Sequence, residues 1–375
     1  MPERRNNTRS GRGDGHGTHR HHHHHSRTGH RRHHTHNRLK HWIKRWLRRR
    51  KWFLLGTAII MIAILVGGFL LMRDAARQKS YRVQAAHAVD VAGGYRTVTY
   101  EGKNYRYNNR ITTILYAGVD SDGALTATSK YTLAPRADSI SLVVLDEMHR
   151  RITIIALSRD TMTDIRKYTL NGKNRGMMTD HLGYAFTYGD GGKVSCKSLC
   201  EAVSNLLYGI PINGYVVSNR ASLEMLGGIV GPVELVVPND DLSALGFRAG
   251  ETVTIDKTNL ETFVRSRDTA QDLSNVGRME RQQAYIEGAI NRIISLLTND
   301  PYSAWEKMER AEDSVLTNIT RSRYLDLTKV LKNTAYSEGQ YYTPEGRQVV
   351  ASDHDEFYPD QDLLRQKIIE LFYLE

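Results

Sequence analysis

The sequence predicts an α/β fold: a three-layer α/β/α domain around a central mixed sheet, preceded by one transmembrane helix and a disordered tail. Three observations predict it. Charge is divided unevenly, an uncharged 21-residue stretch follows the charged tail, and beyond residue 110 strand-length apolar runs alternate with runs of helical spacing.

Residues 1–51 hold 16 of the 52 Lys/Arg and two of the 41 acids, Glu3 and Asp14, so the remaining chain carries a net charge of −3. The overall basic balance therefore belongs to the tail and gives no ground for a nucleic-acid-binding domain downstream. The tail is rich in Arg, His, Gly, Asn and Ser and lacks aliphatic residues before Leu39. Such a composition cannot offset the entropy lost on ordering, so disorder is expected. The His21 to His25 run reads as part of a solvated polybasic arm against anionic lipid in preference to a dedicated metal site.

Residues 52–72 form the uncharged stretch, about 30 Å long as a helix, enough to cross a hydrocarbon core. Trp42, Trp46 and Trp52 and most of the flanking Lys/Arg precede it. The positive-inside rule then places the N-terminus in the cytoplasm and residues 73–375 outside, in a single-pass cell-membrane protein. The run lies too far from residue 1 and is too long for a cleaved signal peptide.

Residues 73–110 read as a helical stalk and an irregular lead-in containing Gly93 and Gly94. Residues 111–119, ITTILYAGV, form a strand that ends at a turn signal. Residues 139–145 and 151–157 form a hairpin. Residues 193–208 have helical periodicity, with Gly209 as the residue after the cap and Pro211 beyond. Strands follow at 212–217 and 233–237, separated by a helix over 220–226. Thr258 and Glu261 fit a capping box that opens a helix to 267, and 278–297 is a long amphipathic helix. Residues 111–300 are thus the expected α/β domain. Residues 301–375 are expected to be a helical extension packed on it, with helices over 322–332 and 362–374. Cys196 and Cys200 share one helix face, a poor geometry for a disulfide, and read as two thiols.

Charged residues collect at the ends of these elements. Arg136 and Asp138 immediately precede one hairpin strand, and Arg159 and Asp160 immediately follow the other, so the hairpin brings all four to one edge. Arg265 and Arg267 end the capped helix. Arg278 and Gln282 share a face in the first turns of the next. Each pair alone is most simply a structural ion pair. Together, five arginines around one or two carboxylates suit a multiply charged anion, which guanidinium forks and a helix N-terminus both bind. No Walker A, Rossmann, GxSxG or HExxH pattern appears, which excludes the common nucleotide and hydrolase machinery.

These residues stand in runs that resemble the LytR-CpsA-Psr family of cell-wall ligases: ILYAGVD (114–120), RADSISLVVLD, ITIIALSRDT, HLGYAFTYGDGG, AVSNLLYGIPINGY, LGGIVGPVELVVP, FVRSRDT and GRMERQQ (277–283). They occur in order across about residues 111–297. The resemblance implies a fold that buries a polyprenyl chain in an apolar tunnel. It also implies a phosphotransferase that moves an anionic glycopolymer, of teichoic acid or capsule type, from a polyprenyl-diphosphate carrier to peptidoglycan with Mg²⁺ or Mn²⁺. By motif, Asp138, Arg159 and Asp160 are the catalytic candidates. Arg136, Arg159, Arg265, Arg267, Arg278 and Gln282 would surround the diphosphate, and Asp138 with Asp120 would hold metal. Which carboxylate takes the hydroxyl proton stays open.

Two departures stand out. Family members often carry an arginine after the first aspartate, where this chain reads Asp120, Ser121, Asp122. A family lysine is replaced by His181, expected to be neutral and packed. The expected partners are the lipid-linked glycopolymer, peptidoglycan and membrane lipid, with no nucleic acid. The alternatives are a non-catalytic lipid-diphosphate receptor and a membrane-bound transcriptional regulator.

Overall fold

The computed structural model describes residues 90–375 except 93–94, 269–270, 311–312 and 351–353. The expected tail over 1–51, membrane helix over 52–72 and helical stalk from 73 lie outside the described residues. Among the described residues no helix is long and apolar enough to cross a membrane.

The chain runs β1 (Asp90–Ala92), β2 (Tyr95–Tyr100), β3 (Lys103–Tyr107), β4 (Ile111–Val119), β5 (Ala137–Asp146), β6 (Arg151–Leu157), β7 (Met162–Tyr168), β8 (Asn174–His181), α1 (Tyr184–Thr187) and α2 (Lys193–Leu206). It continues through β9 (Gly214–Ser218), α3 (Ser222–Val230), β10 (Val233–Val236), β11 (Thr252–Ile255), α4 (Leu260–Arg265) and α5 (Ser274–Asn299). The last part holds α6 (Pro301–Glu309), β12 (Val315–Thr317), α7 (Arg321–Leu331), β13 (Tyr341–Tyr342), β14 (Gly346–Val350), β15 (Asp355–Pro359), α8 (Gln361–Phe372) and β16 (Tyr373–Leu374).

Six strands form the central sheet in the order β12-β9-β4-β5-β6-β13. The pairs β4 with β9 and β6 with β13 are parallel and the others antiparallel, so the sheet is mixed. Alternate side chains point to opposite faces of each strand. Ile114, Val143, Ile154 and Val216 pack on one face beneath α3 to α7. Leu115, Leu142, Ile155 and Val217 pack on the other against α1, α2 and α8. With both faces covered, β4 and β6 are buried almost throughout, which is why they read as continuous apolar runs.

Several expectations change. Residues 95–107 are a hairpin and not an irregular lead-in. Glu101 and Gly102 both lie at positive φ, 49° and 76°, in the two-residue turn whose twist matches the strands. Residues 301–375 are not a helical extension, because β12 and β13 supply both edges of the central sheet. The capping box does not form. Thr258 donates its hydroxyl to Asp256 at 2.6 Å, Asn259 becomes the N-cap, and α4 ends at Arg265. The long helix begins at Ser274, so Arg278 lies beyond its first turn. Cys196 and Cys200 are free thiols, and burial pushes both up, Cys200 to about 12.

Candidate anion-binding active site

The β5/β6 hairpin sets the centre. Ile140 faces Leu157, and continuing that register outward sets Asp138 opposite Arg159. On the other side of β5, Gly118 pairs with Ser139 but Val119 with Ala137. Asp138 is therefore the extra residue of a β-bulge, a feature that re-aims a side chain at a strand end.

Three guanidinium groups meet the Asp138 carboxylate. Arg159 Nη1 bonds Oδ1, Arg136 Nε lies 3.3 Å from the same oxygen, and Arg278 Nη1 lies 3.5 Å from Oδ2. Arg278 also donates to the Asp138 carbonyl at 2.9 Å. Burial alone would raise the Asp138 pKa, but Arg159, Arg278 and Arg136 outweigh it and hold the carboxyl below its usual range. Asp160 sits behind, its Oδ1 3.3 Å from Arg159 Nε. The turn that carries both is tied by Thr161, whose hydroxyl donates to the Ser158 carbonyl at 2.7 Å.

Arg267 donates to Ser274 Oγ at 2.8 Å and makes no ion pair among the described residues. Burial and the neighbouring Arg159 lower its pKa. The same two causes push Arg278 down to about 10. Arg136, Arg159, Arg267 and Arg278 around Asp138 and Asp160 thus form a cationic cluster under self-repulsion, which a bound polyanion relieves. Arg265 stands slightly apart and pairs with Asp120 at 2.6 Å. Gln282 accepts from Ser139 at 3.3 Å and donates to the Val264 carbonyl at 3.0 Å.

Four residues outside the expected set complete the site. Asn275, 4% exposed, donates to Asp160 Oδ2 at 2.7 Å and accepts from Arg278 at 2.6 Å. Arg281, fully buried, donates to the Phe263 carbonyl and to Asn239 at 3.0 Å each, to Asp241 at 2.8 Å, and to the Ser266 carbonyl at 2.5 Å. It thereby ties the α4 end, with Arg265 and Arg267, to α5. Its signal was its place in the buried stripe of Arg278, Arg281 and Tyr285, spaced as one helix face. Gly183 lets α1 approach: a Cβ there would lie 2.8 Å from the Ala137 carbonyl and 3.2 Å from Arg159 Cβ. Arg220, from the turn after β9, lines the cavity described below and pairs with Asp122.

His181 is packed, as expected, but its ring meets an acceptor at each nitrogen. Its Nδ1 lies 3.0 Å from Asp180 Oδ1 and its Nε2 3.1 Å from the Asp355 carbonyl, an arrangement that favours the doubly protonated ring over the neutral one expected. The bond to Asp180 raises its pKa against the opposing effect of burial.

A cavity of about 980 Å³, counting space open to solvent, runs from this cluster between the sheet and α3 to α5. It exists because the sheet presents Gly118, Ser139, Ser141 and Ser218 where larger side chains would fill the space. Asp138, Arg265, Arg278 and Gln282 line one part of it, and Leu223, Leu226, Tyr285, Ile286 and Tyr341 the apolar remainder.

The pattern of LytR-CpsA-Psr proteins matches residues 74–367. This chain belongs to the LytR-CpsA-Psr family. It is 30% identical over 189 residues to the polyisoprenyl-teichoic acid–peptidoglycan teichoic acid transferase TagU of Enterococcus faecalis, covering 49% of this chain and 55% of that protein. It is 25% identical over 225 residues to TagU of Bacillus cereus, covering 59% and 64%. The chain thus spans a little over half of these relatives' length. Among solved structures it resembles gbs0355 from Streptococcus agalactiae, with TM-score 0.53 and 18% identity over 69% of this chain and 87% of that one. It also resembles TagT bound to LIIa-WTA, with TM-score 0.50 and 20% identity over 70% and 89%. Both likenesses are of fold. The mixed α/β architecture is that of LytR-CpsA-Psr proteins.

Proposed function

We propose that this LytR-CpsA-Psr protein is a phosphotransferase that moves an anionic glycopolymer from a polyprenyl-diphosphate carrier to peptidoglycan. One observation carries the reading: an apolar cavity ends at a cluster of self-repelling arginines. An amphiphile with an apolar tail and a polyanionic head satisfies both ends, and neither a free sugar nor a plain lipid does.

A peptidoglycan sugar hydroxyl attacks the sugar-side phosphorus. The new O–P bond forms as the bond to the bridging oxygen breaks, and polyprenyl phosphate leaves with its electron pair. Arg136, Arg159, Arg265, Arg267 and Arg278 with Gln282 neutralise and orient the diphosphate, which is most of the work in phosphoryl transfer. Asp138 meets Arg136, Arg159 and Arg278 where the cavity joins the outer face of the cluster, so it is the group to accept the hydroxyl proton; Asp160 orients Arg159.

A Mg²⁺ or Mn²⁺ ion fits this donor set only as a companion of the diphosphate. Among the described residues no cluster of three or more metal-ligating side chains exists. The Oδ2 of Asp138 nevertheless has no donor closer than Arg278 at 3.5 Å, and Asp120 is bound through Oδ1 alone. Such ions commonly rest on one or two carboxylates plus substrate phosphates. When bound, the ion supplies further neutralisation of phosphate charge. Residues 52–72 would hold the enzyme beside its lipid-linked substrate, with the catalytic domain outside the cell membrane.

The test is polyprenyl phosphate release and covalent joining to peptidoglycan by purified full-length protein supplied with a lipid-diphosphate-linked glycopolymer. Asp138→Ala and Arg159→Ala should each abolish transfer while the domain still folds. Wild-type transfer by either variant would sink the assignment. Ser141→Leu should close the cavity and remove copurifying polyprenyl lipid detected by mass spectrometry.

A further inference from the structure

The cationic cluster has a second side. Arg136, Arg159 and Arg267 do not line the cavity, whereas Asp138, which they surround, does. On that outer side Arg136 lies over the ring of Tyr184, its guanidinium carbon 5.6 Å from the ring centroid. The Tyr184 hydroxyl lies 3.0 Å from Nε2 of the exposed His354. Both rings stand edge-on to the His181 imidazole, at 5.6 and 5.7 Å between centroids and 84° and 85° between planes. His181 is itself pinned by Asp180 and the Asp355 carbonyl. Tyr188 extends the row, 6.1 Å from Tyr184, with Lys167 4.5 Å above its ring. The result is a ledge of polar-tipped aromatic rings that begins at the arginine cluster, and none of its residues lines the cavity.

Phosphoryl transfer proceeds in line, with the attacking and leaving oxygens on opposite sides of phosphorus. With the polyprenyl tail in the cavity, the bridging oxygen departs toward the cavity. The attacking hydroxyl must then arrive from the opposite side, where the ledge lies. Aromatic rings with polar tips suit a pyranose, whose C–H faces stack on the ring and whose hydroxyls meet the Tyr184 hydroxyl and the His354 nitrogen. The geometry points to Tyr184 and His354 as the subsite for the acceptor saccharide. This inference rests on the phosphotransferase reading and adds to it the position of the second substrate.

Its test uses full-length protein in detergent, a short polyprenyl-diphosphate-linked saccharide as donor and uncross-linked glycan strands as acceptor. Tyr184→Ala and His354→Ala should each raise the acceptor KM about tenfold and move the donor KM less than about twofold. Tyr184→Phe, which keeps the ring, should stay within about threefold of wild type. His354→Ala is the cleaner variant, because His354 is exposed and does not touch Arg136. An unchanged acceptor KM in both alanine variants, or a matching rise in donor KM, overturns the subsite.

Calorimetric titration with glycan-strand fragments separates this inference from the reading beneath it. Wild type should bind, and both alanine variants should bind at least about fivefold more weakly. No binding by wild type, or equal binding by all three proteins, overturns the ledge whatever the catalytic result. Intact, ledge-dependent binding without polyprenyl phosphate release upholds the ledge and overturns the phosphotransferase reading alone.

Discussion

The side-chain amide of Asn275 joins the two charged halves of the site, its nitrogen 2.7 Å from the Asp160 carboxylate and its oxygen 2.6 Å from Arg278 Nη2. All three side chains are buried, and Ser158 Oγ lies 3.2 Å from the same amide nitrogen. Asp160 in turn faces Arg159, so one amide fixes two of the arginines that meet Asp138.

Asn275→Ala should therefore slow transfer on the order of 100-fold through misplaced arginines, and lower stability by about 2 kcal/mol through the unpaired buried groups. Asn275→Asp is the sharper variant. It sets two carboxylates at hydrogen-bond distance, where one must hold a proton. Relative activity of that variant should rise as pH falls from about 8 to about 6. A profile parallel to wild type would show that the amide does not couple to Asp160.

Arg281 is held by four acceptors and is fully buried. Arg281→Met removes the charge and leaves the Phe263 and Ser266 carbonyls without their donors. A loss of about 3–5 kcal/mol is expected, lowering Tm on the order of 10 °C. Arg281→Lys keeps the charge but cannot span the same acceptors, so its Tm should stay well below wild type. A wild-type Tm for Arg281→Lys would show that charge alone suffices.

The sequence made the hairpin legible because strand ends meet by topology, so Asp138 opposite Arg159 follows from two apolar runs and a turn. The bulge at Asp138 was not legible, since it depends on how β4 and β5 register with each other. Asn275 falls between the helix ending at 267 and the one over 278–297, where the sequence assigns no element. Nothing local shows that this helix starts four residues earlier, at Ser274, with Leu273 at φ 57° and its N–H bonded to Asp355 at 2.8 Å. The Asp355 that tethers it lies 82 residues away in sequence. The same distance hides β12 and β13, which are too short to show period-two patterning and become strands by pairing with β9 and β6.

Gly183 tests the close approach of α1 to the paired arginines. Its backbone φ of −59° is open to any residue, so the constraint is space. An added methyl would meet the Ala137 carbonyl at 2.8 Å and Arg136 Cγ at 3.1 Å. Gly183→Ala should cost about 1–3 kcal/mol and reduce transfer more than tenfold by displacing Arg136 and Arg159 from Asp138, on the order expected for overpacking beside a reacting centre. Undiminished transfer would mean the backbone yields without moving either arginine.

The bonding of His181 makes stability depend on pH with a definite sign. Its folded pKa is raised above the unfolded value of about 6.5, by the bond to Asp180 first. Its contribution is thus complete below about pH 6.5 and is lost as pH climbs through the folded value. Asp180 is held below its ordinary value because His181 and Lys167 outweigh the effect of burial. Its contribution is complete above about pH 4 and is lost only on acidification. The pair should stabilise most in the window between these limits. The Tm of wild type should fall more steeply between about pH 6.5 and pH 8.5 than that of His181→Gln, which has no proton to lose there. Parallel Tm curves would mean that the ring is neutral across the range, and that the Asp180 and Asp355 contacts hold it without charge.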